Sequence, residues 1–217
     1  LAPIDTPDRD ASPLRELGAL KRRQVWLTLA TGAIGFGGMF AVYTYLAATL
    51  VDVTGLTPRL VPVVLAVFGA GMTIGNLVVP RFADRALMAT AGALLLWSAG
   101  ALLLYPLLAG NVVTMTADVF AIGLGGALGT VLQTRLMDVA GEAQALAAAL
   151  NHSAFNVANA IGPWLGGLAI AAGLGWTATG LVGCGLALAG LAIWALSFVL
   201  ERGGIGLPPA RRPLRQG

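Results

Sequence analysis

From Ala143 to Leu200 the chain runs 58 positions without one Asp, Glu, Lys or Arg. An ordinary globular domain carries about 25% charged residues, so a run of this length belongs in hydrocarbon. It is too long for a single crossing of a core about 30 Å thick, and Gly173, Leu174 and Gly175 mark where it folds back. The stretch from Leu65 to Arg85 shows how such a crossing ends: an uncharged run with glycines at 69, 71 and 75 stops abruptly at Arg81, Asp84 and Arg85. Residues 24–51 carry no charge either, and as a helix they extend about 42 Å, ample to cross. Over all 217 residues, 57% are apolar and 11% charged, with a mean hydropathy of +0.82. These features define an all-α membrane protein.

Six transmembrane helices are expected, near residues 25–50, 60–79, 87–108, 112–132, 145–171 and 178–200, forming one bundle over 25–200. Residues 1–24 read as a linker, polar and proline-bearing (Pro3, Pro7, Pro13) and ending in a basic amphipathic turn with Leu14, Leu17 and Leu20 beside Arg15, Lys21, Arg22 and Arg23. That turn either lies along an anionic membrane surface or supplies only the flanking charges of the first span. Residues 201–217 form a basic tail. An even number of crossings puts both ends on one side. Twelve of the 13 basic residues fall there, with Arg59 alone opposite, so the positive-inside rule makes both ends cytoplasmic. Trp26 and Trp194 suit the inner aromatic belt, Tyr105 and Trp176 the outer. The sequence opens on Leu1 rather than Met, and the chain is expected to be part of a longer one.

Sliding the sequence by 87 positions lays Phe68, Ile74 and Gly75 of the second span on Phe155, Ile161 and Gly162 of the fifth. Because three spans separate the copies, each pair crosses in opposite directions, as in a three-plus-three inverted repeat.

Polarity is unevenly shared among the spans. The third and sixth hold little beyond Trp, Tyr105, Cys184 and a few hydroxyls, as suits lipid-facing helices. The fifth carries Asn151, His152, Ser153, Asn156 and Asn159. Of these, His152, Asn156 and Asn159 stand at i, i+4 and i+7 on one face. Amides and imidazole are costly against hydrocarbon, so the stripe faces a water-filled cavity or neighbouring helices. Pro163 follows in the same helix; lacking an N–H, it frees the Asn159 carbonyl and is expected to bend the helix, either at a binding segment or as an ordinary proline kink. Asp118 is the lone carboxylate inside a span, about 10 Å from its start. It is a candidate proton carrier, or else a carboxylate open to external water. In the first span Tyr43 and Tyr45 point about 200° apart, so at most one faces a cavity.

Other chemistries find no support. One cysteine, Cys184, rules out an internal disulfide or a cysteine metal cluster. No strand precedes the glycine clusters and no GK[ST] follows them, so they are not nucleotide loops; their spacing instead permits close helix contact, with Gly71 and Gly75 a GxxxG pair. An intramembrane enzyme would need Ser with His, paired Asp residues or a metal cluster. One His, one embedded Asp and no GxSG speak against it. No cofactor, metal or nucleic acid is expected.

The segments GMFAVYTYLA (38–47), VTG (53–55), FGAGMTIGN with RFADR (68–85), LQTR (132–135) and LNHSAFNVANAIGPWLGG (150–167) occur in order over nearly the whole chain. In these the chain resembles the C-terminal half of a major facilitator superfamily transporter of the drug:proton antiporter-1 family, which includes arabinose-efflux-like and chloramphenicol-resistance-like permeases. The resemblance implies that the first and fourth spans line a central cavity and the third and sixth face lipid. It implies a second six-helix half, N-terminal and outside this sequence, as partner, with protons and a small organic solute, drug or sugar-like, as the species moved. Asn156, Asn159, His152 and Tyr43 then become candidate cavity residues, with Asp118 the candidate proton-coupling site in the cell inner membrane. RFADR is similar to the superfamily's motif A, in which an Asp (here Asp84) caps or pairs with a neighbouring helix end and basic residues (here Arg81 and Arg85) complete a cytoplasmic latch. It departs from that motif in having Pro80 for the expected Gly and Ala86, Leu87 and Met88 for the trailing Gly and basic residues. A half-size protein that dimerises into a transporter, or serves as a scaffold, is the alternative.

Overall fold

The computed structural model of the chain describes residues 17–141 and 143–204. The expected linker up to residue 16 and the tail beyond 204, with Arg9, Arg15, Arg211, Arg212 and Arg215, lie outside the described residues. Among the described residues six helices are long and apolar enough to cross a membrane: α1 (Arg23–Asp52), α2 (Pro58–Val78), α3 (Pro80–Leu108), α4 (Val112–Ala140), α5 (Gln144–Ala171) and α6 (Ala178–Arg202). Among the described residues no strand occurs.

Local chemistry sets the ends. Pro58 and Pro80 open α2 and α3, where a missing N–H costs nothing. Asn111 caps α4, its side-chain oxygen accepting from the backbone N–H groups of Val113 (2.9 Å) and Thr114 (3.3 Å). At the far end of α4, Gly141 adopts φ 66°, a conformation that favours glycine, while Arg22 donates to the Val139 carbonyl at 2.9 Å and so satisfies an otherwise open helix terminus. Three helices are not uniform. A π-turn over Thr31–Gly35 interrupts α1, α4 is broken between Gly125 and Leu128, and α3 has one extended residue, Ala86 (φ −157°, ψ 72°), just after RFADR. α4 also continues through Arg135 to Ala140, two turns past the expected end near residue 132, because Leu136 and Ala140 bury against Val25 and Leu29 of α1.

Packing follows the repeat. α1 lies on α5 and α6; α4 lies on α2 and α3; α3 packs along α6. A Cβ placed on Gly162 would meet the Gly37 carbonyl of α1, and one placed on Gly75 would meet the Leu124 carbonyl of α4 at 2.6 Å. Gly37 and Leu124 stand in the same 87-position register as Gly75 and Gly162, so one backbone-to-backbone contact occurs twice. The edge-to-face pair of Phe36 and Phe155 (centroids 4.8 Å apart) falls at the counterpart positions of Gly123 and Phe68, where Gly123 backs onto the Phe68 carbonyl. The three-plus-three inverted repeat is therefore present in the contacts, far beyond the few identities visible in sequence.

The core between these helices holds Leu46 and Leu50 of α1, Leu95, Leu102 and Tyr105 of α3, and Met115 and Leu128 of α4. Outward, α3 exposes Leu96, Leu103 and Leu107, and α6 exposes Leu181, Leu188 and Val199, surfaces fit for lipid. Tyr105 departs from the expected outer aromatic belt: it is 0% exposed and points into the core. Its neighbour in space is Gly180 of α6, where a Cβ would come within 2.8 Å of the tyrosine's own Cβ, and this close approach draws the ring inward.

Candidate functional site

The polar stripe of α5 faces away from the helix's packing surface. Ala147, Asn151, Ala158, Gly162 and Gly166 are the buried positions of α5, and His152, Asn156 and Asn159 are all exposed on the other side. Their side chains are thus not the glue that holds α5 to its neighbours within this bundle. That function falls to glycine backbone contact and to Tyr45 of α1, whose hydroxyl donates to the Pro163 carbonyl at 2.9 Å and whose ring lies against Gly166 and Gly167. The helix is unbroken from Gln144 through Pro163 to Ala171.

Of the two tyrosines on α1, Tyr45 therefore packs against α5 while Tyr43 is 43% exposed, resting on Phe68 of α2 with centroids 4.9 Å apart. Also on the exposed side, Thr130 of α4 donates to the Asn76 side-chain oxygen of α2 at 2.6 Å, and Asn76 donates back to the Met72 carbonyl. Asn76 and Thr130 escaped the sequence reading. Asn76 sits inside the quoted FGAGMTIGN segment, and an amide within a span was the signal available.

RFADR follows directly on α2, in the first two turns of α3. Arg81 donates to the Leu77 carbonyl one turn back, at 2.7 Å. Asp84 and Arg85 line a cleft of about 310 Å³ whose opposite wall is α4, through Thr130, Thr134 and Asp138. The same end of the bundle carries a charged contact that sequence did not suggest: Arg135, 9% exposed, pairs with Glu201 of α6 at 2.8 Å. Beside it Gln24 of α1 donates to the Ser197 carbonyl, and Ser197 Oγ donates to Gln24. These bonds join the start of α1 and the end of α4 to the end of α6.

Asp118 is set apart from both groups. It is 4% exposed, turned into the core, which excludes the reading of a carboxylate open to external water. Its Oδ2 and the Tyr105 hydroxyl of α3 are both buried without a hydrogen-bond partner among the described residues. The site residues thus fall into three places: the exposed faces of α5 and α1, the cleft beside RFADR, and the buried acid of α4. Among the described residues, no group of three His, Cys, Asp or Glu side chains is arranged to hold a metal.

Six apolar helices in an inverted repeat, with imidazole and amides on an exposed face of α5, define a multi-pass membrane protein. The chain belongs to the Major Facilitator Superfamily, whose family model matches residues 3–142. It is 38% identical over 182 residues to the inner membrane transport protein YdhP of Escherichia coli K12, covering 82% of this chain and 46% of that protein. It is 39% identical over 158 residues to a chloramphenicol resistance protein of Streptomyces lividans, covering 70% of this chain and 39% of the relative. A probable sugar efflux transporter of Haemophilus influenzae strain PittGG is 31% identical over 201 residues, 90% of this chain and 50% of the relative. The chain spans about half the length of these relatives.

Proposed function

We propose that this chain is the C-terminal six-helix half of a proton-coupled efflux transporter of the cell inner membrane. In this reading it exports a small organic solute by rocking against an N-terminal half, with both ends of the present chain cytoplasmic. The observation that carries it is the exposed stripe of His152, Asn156 and Asn159 on a helix whose opposite face is packed. Amides and imidazole there need water or a polar partner, and a vestibule shared between two halves supplies both. The names of two relatives, a chloramphenicol resistance protein and a probable sugar efflux transporter, support a small organic solute, drug or sugar-like, as cargo. Tyr43 adds an aromatic face for a ring, and Asp118 is the proton-coupling residue. Arg81, Asp84 and Arg85 serve the cytoplasmic latch, with the cleft against α4 as its seat.

The mechanism needs no covalent step. Solute binds to side chains that exchange hydrogen bonds with water for hydrogen bonds with cargo, and proton binding shifts the balance between the inward-open and outward-open arrangements. In inverted membrane vesicles bearing the intact protein, solute uptake driven by an imposed pH gradient tests this. Asn156→Ala and Asn159→Ala are expected to reduce uptake at least tenfold, and Asp118→Asn to abolish its dependence on the gradient. Normal gradient-driven uptake in all three variants would refute the site assignment.

A further inference from the structure

Two apolar grooves on the outside of the bundle are one groove built twice. The first, about 270 Å³, lies between the start of α1 and α5, with Trp26, Leu29, Ala30 and Ala33 as its α1 wall and Ala154 opposite. The second, about 500 Å³, lies between the start of α4 and α2, with Val113, Thr116, Ala117 and Phe120 as its α4 wall and Val67 opposite. The 87-position register of the repeat carries each of the first five residues onto its counterpart in the second groove. Because the repeat is inverted, the two grooves stand at opposite faces of the membrane.

Their walls are alike in chemistry. Ser153 in the first donates to the Ala149 carbonyl at 3.1 Å, and Thr116 in the second to the Val112 carbonyl at 2.7 Å. The Trp26 indole donates to the Leu20 carbonyl at 2.7 Å. With these groups engaged, hydrocarbon fits both walls.

Their rims differ. Lys21, Arg22 and Arg23 lead into the first groove and are all exposed, whereas the same register places Leu108, Ala109 and Gly110 before the second. Arg59, at the start of α2, is the one basic residue at that end among the described residues. Arg22 is committed to the Val139 carbonyl, which leaves Lys21 and Arg23 for a ligand. The indole bond of Trp26 draws the Leu20–Lys21 peptide onto the rim. Arg23 stands one and two turns before Trp26 and Ala30 on the same face of α1. A tryptophan at this depth suits the headgroup level. Around α5, the groove residues Leu150, Ser153, Ala154 and Val157 centre about 140° from His152, Asn156 and Asn159. With that stripe on the vestibule, the groove opens on the bilayer.

We propose that the groove between α1 and α5 binds an anionic phospholipid of the cytoplasmic leaflet. One acyl chain lies along Ala30 and Ala33, and Lys21 and Arg23 hold the phosphate. The leaflet rests on the orientation given under the proposed function, and the bilayer-facing side on the vestibule reading; the apolar wall and the charged rim depend on neither. Ala33 belongs to the π-turn of α1, so the bound chain bears on the stretch where the first span departs from a regular helix.

Photo-cross-linking in nanodiscs reads the site. The intact protein is placed in phosphatidylcholine doped with phosphatidylglycerol that carries a diazirine in one acyl chain, and the labelled peptides are mapped. The same chain on phosphatidylcholine is the reference. Labelling of residues 26–33 and 150–157 should be about tenfold higher with phosphatidylglycerol, and residues 113–120 should show no such preference. Lys21→Ala with Arg23→Ala should reduce phosphatidylglycerol to the level of phosphatidylcholine. Ala30→Phe should remove labelling by both lipids with the rim charges intact, while Ala117→Phe should leave the first groove as in wild type. Equal labelling by the two lipids, the same preference in the outer groove, or a preference that survives the double variant would overturn the proposal. So would a first groove that neither lipid labels, as when a helix of the partner half covers it. The lipid is present in both leaflets of the disc and no transport is measured, so failure of the lipid site and failure of the export reading remain separate results.

Discussion

Replacing Gly162 by alanine tests the helix packing at its tightest point. The added Cβ would fall on the Gly37 carbonyl oxygen, with the Ala41 nitrogen at 2.9 Å and the Gly37 carbonyl carbon at 3.0 Å. All three are backbone atoms, so no side chain can swing aside and α1 and α5 must separate. Overpacking of this kind costs about 1–3 kcal/mol. With about 2–4 °C of melting temperature per kcal/mol for a protein of this size, the loss is roughly 2–12 °C. Gly75→Ala should cost a similar amount, since its Cβ meets the Leu124 carbonyl oxygen at 2.6 Å and the carbonyl carbon at 3.3 Å. The two losses should add, because they fall on different helix pairs. Gly69→Ala and Gly100→Ala are the controls: each Cβ has nothing within 4 Å, and alanine is the better helix former. The fraction of intact protein that survives heating in lipid nanodiscs, measured by size exclusion, gives the midpoints. If Gly162→Ala and Gly75→Ala melt with the controls, backbone contact at these glycines does not hold the bundle.

Asn156→Ala and Asn159→Ala should leave the melting midpoint within about 0.5 kcal/mol of wild type, as exposed substitutions do, even as solute uptake falls. Loss of uptake accompanied by loss of stability would return these amides to a structural role. Glu201→Gln removes the charged partner of Arg135 and should destabilise the protein by about 1–2 kcal/mol, the lower part of the range for bonds to charged groups because the Glu201 side chain is 38% exposed; an unchanged midpoint would show the pair to be idle. Trp194→Phe keeps the stack on Phe198 but loses the indole bond to the Met88 carbonyl (2.8 Å), for a cost of about 1 kcal/mol, read from the same heating assay.

Sequence spoke most clearly where hydrocarbon is the solvent. A residue's charge decides whether a membrane tolerates it, so uncharged runs gave the six spans with little help from anything else. The stripe on α5 was legible for the same reason: three polar residues at helical spacing share a face wherever the helix sits. What sequence left open was which way a lone polar residue turns. Asp118 and Tyr105 are 13 positions apart on different helices, and nothing local says that both point inward; Gly180 opposite Tyr105 decides it for the tyrosine. Arg135 was read as a flanking charge at a helix end, yet α4 runs on to Ala140 and carries it into contact with Glu201. The repeat was faint because a close helix contact can be built from a glycine against any backbone. Gly37 and Leu124 do the same work without resembling each other.

Thiol accessibility along α5 tests most directly whether its polar face borders water. In a background with Cys184, the chain's single cysteine, replaced by alanine, cysteines at Asn156 and Asn159 should react with a membrane-impermeant maleimide in the intact protein. Cysteines at Leu103 of α3 and Leu196 of α6, on the apolar outer faces, should stay unlabelled. Asparagine positions as silent as those two leucine positions would contradict the vestibule and the transport reading built on it.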